Sequence, residues 1–275
     1  MLDESICDTA ESGLCAPSTA GVTFLGRLKM SAGRIQISLI VPTYNERENI
    51  EPLLRTLSKV LSHTCHELIV VDDDSPDCTW KIVECLALEI PEIRLVRRKA
   101  AHRDQAQSLL EGLRVSHGAI LGSINADGSH PPEAIAALHA TMVEGEFEMV
   151  IGSRYIVGGA ISQWPWHRRT LSKLATAVTR SLLRLQITDP LSGFYVVRRE
   201  VYERAIETAT PRGFKLLLEL YVRGRPSRVA EVPIHFINRI RGKSKVSPLV
   251  LYQGCVRLVS LTIASRSTER VDARS

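Results

Sequence analysis

The chain has 275 residues, 44% of them hydrophobic, which is enough to bury a sizeable core as one domain. No run reaches the roughly 18 apolar residues that span a bilayer, and the acidic opening MLDESICDTAESGL lacks the cationic start and apolar core of a secretory signal. The net charge of +5 is clustered at 97–99, 167–169, 198–199 and 239–245, which suits anionic partners, and no aromatic-and-basic strand signature marks a nucleic-acid reader.

Residues 1–33 carry no sustained period and are rich in Ser, Thr, Gly and Ala, so a flexible extension is expected there. IQISLIV (35–41) reads as a buried strand. It is followed by a helix with Ile50, Leu53, Leu54, Leu57, Val60 and Leu61 on one face. Strand LIVV (68–71), a helix over Trp80 to Leu88, strand IRLV (93–96) and a helix over Leu109 to Val115 come next. AILGSI (119–124), a helix over Pro132 to Val143 and MVIG (149–152) continue the alternation. Continuously apolar strands separated by helices predict an α/β fold, a mainly parallel sheet covered by helices on both faces.

Beyond Gly152 the pattern loosens. The spacing predicts a helix at 168–184 with Leu171, Leu174, Val178 and Leu182 facing inward and Arg168, Arg169 and Lys173 outward. GFYVVRR and RVAEVPIHF read as strands flanking a helix over FKLLLELYVRG. The apolar stretch 248–264 either caps the core or lies in a membrane interface. Cys7, Cys15, Cys65, Cys78, Cys85 and Cys255 form no C-x-x-C pair and read as reduced thiols of a cytosolic protein.

In open α/β sheets the ligand crevice lies beyond the carboxyl ends of the strands. Three turns share that rim: PTYNERE (42–48), DDDSPD (72–77) and NADGSH (125–130). Asp74, Ser75 and Asp77 suit a turn that caps the next helix. Asp72 and Asp73 are adjacent carboxylates that need a partner. A phosphatase of the Asp-x-Asp class and a dinucleotide fold both need residues on the first turn that are missing, as is the Gly-rich, Arg-containing loop of sugar nucleotidyltransferases.

PTYNERENI, VVDDDSPD, NADGSHPPE, GSRYIVGGAISQWPWHRRTLSK, DPLSGFYVVRREV and NRIRGKSK occur in this order. Together they resemble the family-2 glycosyltransferases, and among them the polyprenol- or dolichol-phosphate mannosyltransferases. The resemblance implies a GT-A (nucleotide-diphospho-sugar transferase) domain over 34–246, and leaves 247–275 as a C-terminal amphipathic helix and tail. It implies GDP-mannose as donor, a divalent cation (Mg²⁺ or Mn²⁺) and a polyprenyl-phosphate lipid acceptor, with inversion at the sugar. Pro42, Tyr44 and Glu46 match the turn lining the nucleotide. Asp73, with Val71 and Asp72 beside it, matches the acceptor for the base. Asp127 matches the carboxylate that holds the cation against the diphosphate, with Ala126 beside it, Ser129 in a second ligand position and Asn125 in a third. Arg154, Arg168 and Arg169 match cations for the acceptor phosphate, and Arg239 and Lys245 match a loop over the diphosphate. Asp189, Ser192 and Gly193 match a turn near the acceptor, and Glu219 an acid that orients the donor loop.

Two departures stand out. The family has Asp-Ala-Asp where this chain has Asn125, and a Gly-Leu-Gly-like segment where it has His102, Arg103, Asp104 and Gln105. They leave open another donor such as UDP-glucose, or a nucleotide-sugar-binding homologue with little turnover. Relatives often carry C-terminal membrane spans. Without one in this sequence, the chain is expected to reach the cytoplasmic face of a membrane peripherally, through its basic surface, through 248–264 or through an anchoring partner protein.

Overall fold

The computed structural model describes residues 22–25, 34–99, 103–207 and 216–238. It corrects the expected extension at one place. Val22–Leu25 forms a strand, β1, antiparallel to residues Leu95–Arg98. A short β-branched and aromatic run of this kind suits a sheet edge that would otherwise expose unpaired backbone groups. β2 (Ile37–Thr43), α1 (Ile50–Val60), β3 (His66–Asp72), α2 (Thr79–Glu89) and β4 (Ile93–Arg98) follow. Then come α3 (Gln105–Arg114), β5 (Ile120–Ser123), α4 (Ala134–Glu144), β6 (Met149–Ser153), β7 (Ala160–Ile161) and α5 (Trp166–Leu183). β8 (Tyr195–Arg198), α6 (Arg199–Ile206), α7 (Leu216–Gly224), β9 (Val229–Pro233) and β10 (His235–Phe236) complete the order.

Among the described residues the main sheet has eight strands in the order β1-β4-β3-β2-β5-β8-β6-β9, of which only β1 and β8 are reversed. Parallel β7 and β10 form a small second sheet. Successive residues of each strand feed opposite faces, so the core has two halves. Ile37, Leu39, Val41, Leu68 and Val70 pack with Leu54 of α1, Val83 of α2 and Leu138 of α4. Ile40, Ile69 and Val71 pack with Leu110 of α3, Tyr202 of α6 and Leu217 of α7. The mainly parallel sheet with helices on both faces is therefore observed. The segment 248–264 lies outside the described residues, and no described helix is long and apolar enough to cross a membrane.

One helix departs from its predicted orientation: Arg169 and Lys173 are exposed as expected, but the apolar row that was to face inward is exposed too. On α5 the exposures of Leu171 (61%), Leu174 (59%), Val178 (44%) and Leu182 (41%) are those of an outer face. The helix buries Thr176, Thr179 and Leu183 instead. A hydrophobic period shows which residues share a side but not what that side meets. Here α3, α6 and α7 already cover this side of the sheet, together with Leu183 at the end of α5.

At the rim opposite the ligand turns, the fully buried carboxylate of Glu67 fastens three elements. It accepts from Ser38 Oγ (2.6 Å), Arg94 Nη1 (2.6 Å) and the His117 N–H (2.6 Å). Burial, the largest influence, favours the neutral acid, but these three partners outweigh it and hold the pKa below the usual carboxylate range. A lowered folded-state pKa contributes stability above the unfolded value, about 4.3, and that contribution is lost as pH falls through the folded value. Glu67→Gln should cost about 1–3 kcal/mol at neutral pH and should flatten the acid limb of a urea-denaturation series below about pH 4.

Candidate functional site

Because β2, β3 and β5 are parallel, their carboxyl ends bring the three turns to one rim. Pro42 and Val71 are register partners on adjacent strands, as are Thr43 and Asp72. The Val71 side chain is buried in the core, so only its backbone can reach the crevice. Asp72 is buried and fully used within its own turn. It accepts from Thr43 Oγ1 (2.8 Å), Ser75 Oγ (2.6 Å) and the Ser75 N–H (2.8 Å). Burial pushes its pKa up, against those hydrogen bonds. Asp72 therefore shapes the turn rather than offering a side chain to a ligand.

Asp73 is the carboxylate that is offered. Its Oδ1 accepts from Arg98 Nη1 (2.6 Å) and Ser108 Oγ (2.8 Å), so both donors converge on one oxygen and neither takes Oδ2. Burial pushes this pKa up as well, with Arg98 and Ser108 opposing. Glu46 is buried and accepts from Asn49 Nδ2 (2.8 Å), while its N–H donates to Thr79 Oγ1 (3.0 Å). Tyr44 is half-buried, with the Arg103 guanidinium 3.7 Å over its ring.

The NADGSH turn is built around a left-handed glycine, Gly128 (φ 70°), where a side chain would be strained. That bend folds Ser129 back onto Asp127, whose Oδ1 accepts both the Ser129 N–H (3.1 Å) and its Oγ–H (2.5 Å). The Asn125 N–H donates to Nδ1 of buried His130 (3.2 Å), which places that ring's proton on Nε2. His130 stacks on Phe194 (5.2 Å) and acts as a packing residue of the turn. Gly193 approaches so closely that an added Cβ would lie 3.3 Å from Asn125 Oδ1. Ala126 is buried beneath, in the core.

The two departures from the family pattern meet each other. Gln105 Nε2 donates to Asn125 Oδ1 (3.1 Å), and Arg103 covers Tyr44. The segment 103–105 thus closes a third side of the crevice, between the first and third turns.

On the far side, Arg154 is buried and forked onto Asp189, with Nε to Oδ2 and Nη2 to Oδ1 both at 2.7 Å. Burial works against the guanidinium charge, but the Asp189 carboxylate outweighs it and leaves the pKa raised. Asp189 is held in turn by Glu231, which accepts its N–H (3.1 Å) and the Thr188 Oγ1–H (2.7 Å). Only Nη1 of Arg154 is not taken by Asp189. Arg168 stacks on Trp164 (4.0 Å) and donates to Asn238 Oδ1 (3.3 Å). Arg169 donates to the Ile161 carbonyl. Ser192 Oγ donates to the Gly152 carbonyl (2.8 Å), and Glu219 pairs with Arg223 of its own helix (2.7 Å). Arg239 and Lys245 lie outside the described residues.

The structure thus brings Tyr44, Asp73, Asn125, Asp127 and Ser129 to one rim, with Arg154 behind them. Sequence reasoning missed Arg98, Ser108 and Glu231, which hold the site residues in place. Arg98 belongs to a cationic cluster that had been read only as bulk charge, and nothing local marked Glu231.

Among the described residues no group of three or more His, Cys, Asp and Glu side chains is gathered to hold a metal. What the turn offers is an all-oxygen partial set: the Asp127 carboxylate, the lone pairs of Ser129 Oγ and the Asn125 amide oxygen. Hard divalent cations take such oxygens and complete their shell with phosphate and water, so these residues fit a cation shared with a diphosphate.

Residues 38–205 match the model of glycosyl transferase family 2. A dolichol-phosphate mannosyltransferase of Pyrococcus furiosus is 38% identical over 221 residues, covering 80% of this chain and 61% of that protein. A polyprenol monophosphomannose synthase of Mycolicibacterium smegmatis is 37% identical over 218 residues, covering 76% of this chain and 80% of its own. In fold, the chain is similar to glucosyl-3-phosphoglycerate synthase of Mycobacterium tuberculosis, solved with Mn²⁺ and UDP-glucose. The TM-score is 0.60 at 24% identity, over 84% of this chain and 80% of that one. With a family match over most of its length and a GT-A architecture, the chain belongs to glycosyl transferase family 2 and is a glycosyltransferase.

Proposed function

We propose that the chain transfers mannose from GDP-mannose to a polyprenyl phosphate, with inversion. The observation that carries this reading is the pairing of a rim carboxylate, Asp127, with a base-facing carboxylate, Asp73, in a chain similar to two proteins named for mannose transfer to such lipids. Asp73 Oδ2 suits the N–H edge of guanine. Asp127, Ser129 and Asn125 would hold the divalent cation, which supplies neutralisation of the charge growing on the departing diphosphate. Tyr44 and Arg103 wall the nucleotide.

The nucleophile is a phosphate oxygen of the lipid. Phosphate monoesters lose their second proton near pH 6, so the oxygen is mostly ionised at neutral pH and no strong general base is required. Its lone pair forms the bond to the anomeric carbon as the bond to the β-phosphate oxygen breaks, and that electron pair leaves on GDP. Arg154, held rigid by Asp189, offers Nη1 to the incoming phosphate, and Arg168 and Arg169 add positive potential. A lipid acceptor requires contact with a membrane surface. The outward apolar face of α5 supports such peripheral contact.

The test mixes purified protein, labelled GDP-mannose, a polyprenyl phosphate and Mn²⁺ or Mg²⁺, and follows label into organic solvent. Transfer that a chelator suppresses supports the reading. Binding of GDP-mannose without transfer under any cation overturns it in favour of a nucleotide-sugar-binding homologue, and transfer only from UDP-glucose overturns the donor assignment.

The Gln105–Asn125 contact gives a sharper measurement. Asn125→Asp keeps the Gln105 hydrogen bond and adds a charge beside Asp127. Titration calorimetry with Mn²⁺ and GDP should show affinity rising about tenfold, ~1.4 kcal/mol.

A further inference from the structure

Three successive backbone N–H groups of the first turn are taken by side chains of the second. The Asn45 N–H donates to Ser75 Oγ (3.0 Å), the Glu46 N–H to Thr79 Oγ1 (3.0 Å) and the Arg47 N–H to Asp77 Oδ2 (3.1 Å). Arg47 returns one bond, from Nη1 to the Asp77 carbonyl (3.0 Å). Both hydroxyls are themselves fixed by carboxylates. Ser75 Oγ donates to Asp72 Oδ2 (2.6 Å), and Thr79 Oγ1 donates to Asp77 Oδ1 (2.6 Å). Ser75 and Thr79 are 2% and 0% exposed, so neither hydroxyl can trade these partners for water.

A turn that only capped its own helix would not need this lacing. Asp77 does accept the Thr79 N–H (3.0 Å), but Ser75 Oγ and Asp77 Oδ2 reach across to the other turn. The backbone bears a cost as well. Asn45, Asp74 and Cys78 are left-handed, at φ 52°, 52° and 60°. Non-glycine residues keep that conformation where their surroundings over-determine it, and such places cluster at ligand clamps. The lacing has a second effect. Successive N–H groups at the approach to a helix often cradle a phosphate. Here residues 45–47 have already spent theirs, so a diphosphate gains nothing from them. What the turn presents instead is the Tyr44 side chain. The Asn45 N–H lies in the peptide plane that leaves Tyr44, so Ser75 sets where that ring stands under the Arg103 guanidinium.

We infer that Ser75, Asp77 and Thr79 are positioning residues for the nucleoside half of the donor, bracing the first turn so that Tyr44 forms a fixed wall of the crevice. They act through the backbone of 45–47 and not by contact with the donor. That a nucleotide occupies this rim rests on the function proposed above; the lacing of the two turns does not.

The test is titration calorimetry of the full chain with the Mg²⁺ complexes of GDP, UDP and pyrophosphate, together with steady-state transfer. Thr79→Val keeps the shape and removes the hydroxyl shared by the Glu46 N–H and Asp77. It should weaken GDP binding about tenfold, the scale of one or two lost hydrogen bonds, and leave pyrophosphate within about twofold of wild type. Thr79→Ser, which retains the hydroxyl, should bind GDP like wild type. Asp77→Asn alters a half-buried side chain and tests the same lacing should Thr79→Val fold poorly. Its single acceptor oxygen can serve Thr79 or Arg47 but not both, so GDP binding should weaken about fivefold. In the transfer assay both variants should raise KM for the sugar nucleotide and leave kcat nearly unchanged, the mark of binding lost equally from ground and transition states. GDP affinity unchanged in both variants overturns the inference, as does a Thr79→Ser variant as weak as Thr79→Val. An equal fall for pyrophosphate also overturns it, because it would mean a fold loosened throughout. Wild type that binds UDP in place of GDP overturns the donor named above, and the same variants then read the lacing with UDP. GDP binding that depends on Thr79 in a protein that transfers nothing sinks the proposed reaction alone.

Discussion

Asp127→Ala should abolish sugar transfer, a loss on the order of 10³-fold in kcat, the upper range for removing a group that stabilises developing charge. The cause is electrostatic, and the turn allows that to be proved. Asp127 also accepts the Ser129 N–H and hydroxyl, so the alanine variant loosens the turn as well as discharging it. Asp127→Asn separates the two effects. The amide oxygen still accepts the Ser129 N–H, the Gly128 bend is undisturbed, and only the charge is gone. Both variants should be comparably inactive in the organic-extraction assay, with melting temperatures near wild type. Ser129→Ala, which removes one neutral oxygen, should cost about tenfold, or ~1.4 kcal/mol. Strong turnover by Asp127→Asn with Mn²⁺ present would show that this carboxylate does not hold the cation.

The largest effect on stability is expected at Asp189→Ala. The Arg154 guanidinium is buried and its Nε and Nη2 both end on Asp189. Taking the carboxylate away strands a charge in the interior, which costs about 3–5 kcal/mol. For a domain of this size that is a melting-temperature fall of roughly 10 °C, read by calorimetry or circular dichroism. Replacing both partners, as Arg154→Met with Asp189→Leu, should recover part of the stability, because no charge is left stranded, although the Arg154 N–H loses its acceptor, Asp189 Oδ2 (3.1 Å). The double variant should still fail to transfer sugar. Stability and catalysis part company there, and that pattern marks the pair as a functional anchor rather than a structural rivet. Should Asp189→Ala melt with the wild type, the fork would not be the buried lock that its geometry describes.

Much of this site was legible from the residues, and the reasons differ by part. Strand–helix alternation and continuously apolar strands are local patterns, so β2 to β6 and their helices fell where periodicity put them. The rim followed from topology, because parallel strands end on one side. Asp73 was singled out by its motif, yet its neighbour Asp72 carries the same charge and is consumed by Thr43 and Ser75. One residue of register decides between a carboxylate with an oxygen to spare and a brace. The apolar row of α5 was read as buried because periodicity marks a side without saying what it meets: the helix covers Thr176, Thr179 and Leu183 instead, and leaves Arg169 and Lys173 exposed as expected. Glu231 could not be found at all, since its link to Asp189 spans 42 residues and no spacing rule joins them. Asn125 and the segment 103–105 each looked like a loss when read singly. Their contact shows two neutral groups that satisfy one another.

The reversed strand β8 has a consequence for how such an enzyme changes its choice of substrate. β2, β3 and β5 deliver the three rim turns from their trailing ends. β8 runs against its neighbours β5 and β6, so it reaches the same mouth with its leading end and brings Asp189 and Gly193 there from the opposite direction. The opening is therefore sewn from two independent seams. Within 184–193, Leu185 and Ile187 belong to the core and Asp189 locks Arg154, so a graft of this stretch that keeps those three can vary the rest without shifting the register of β2, β3 or β5.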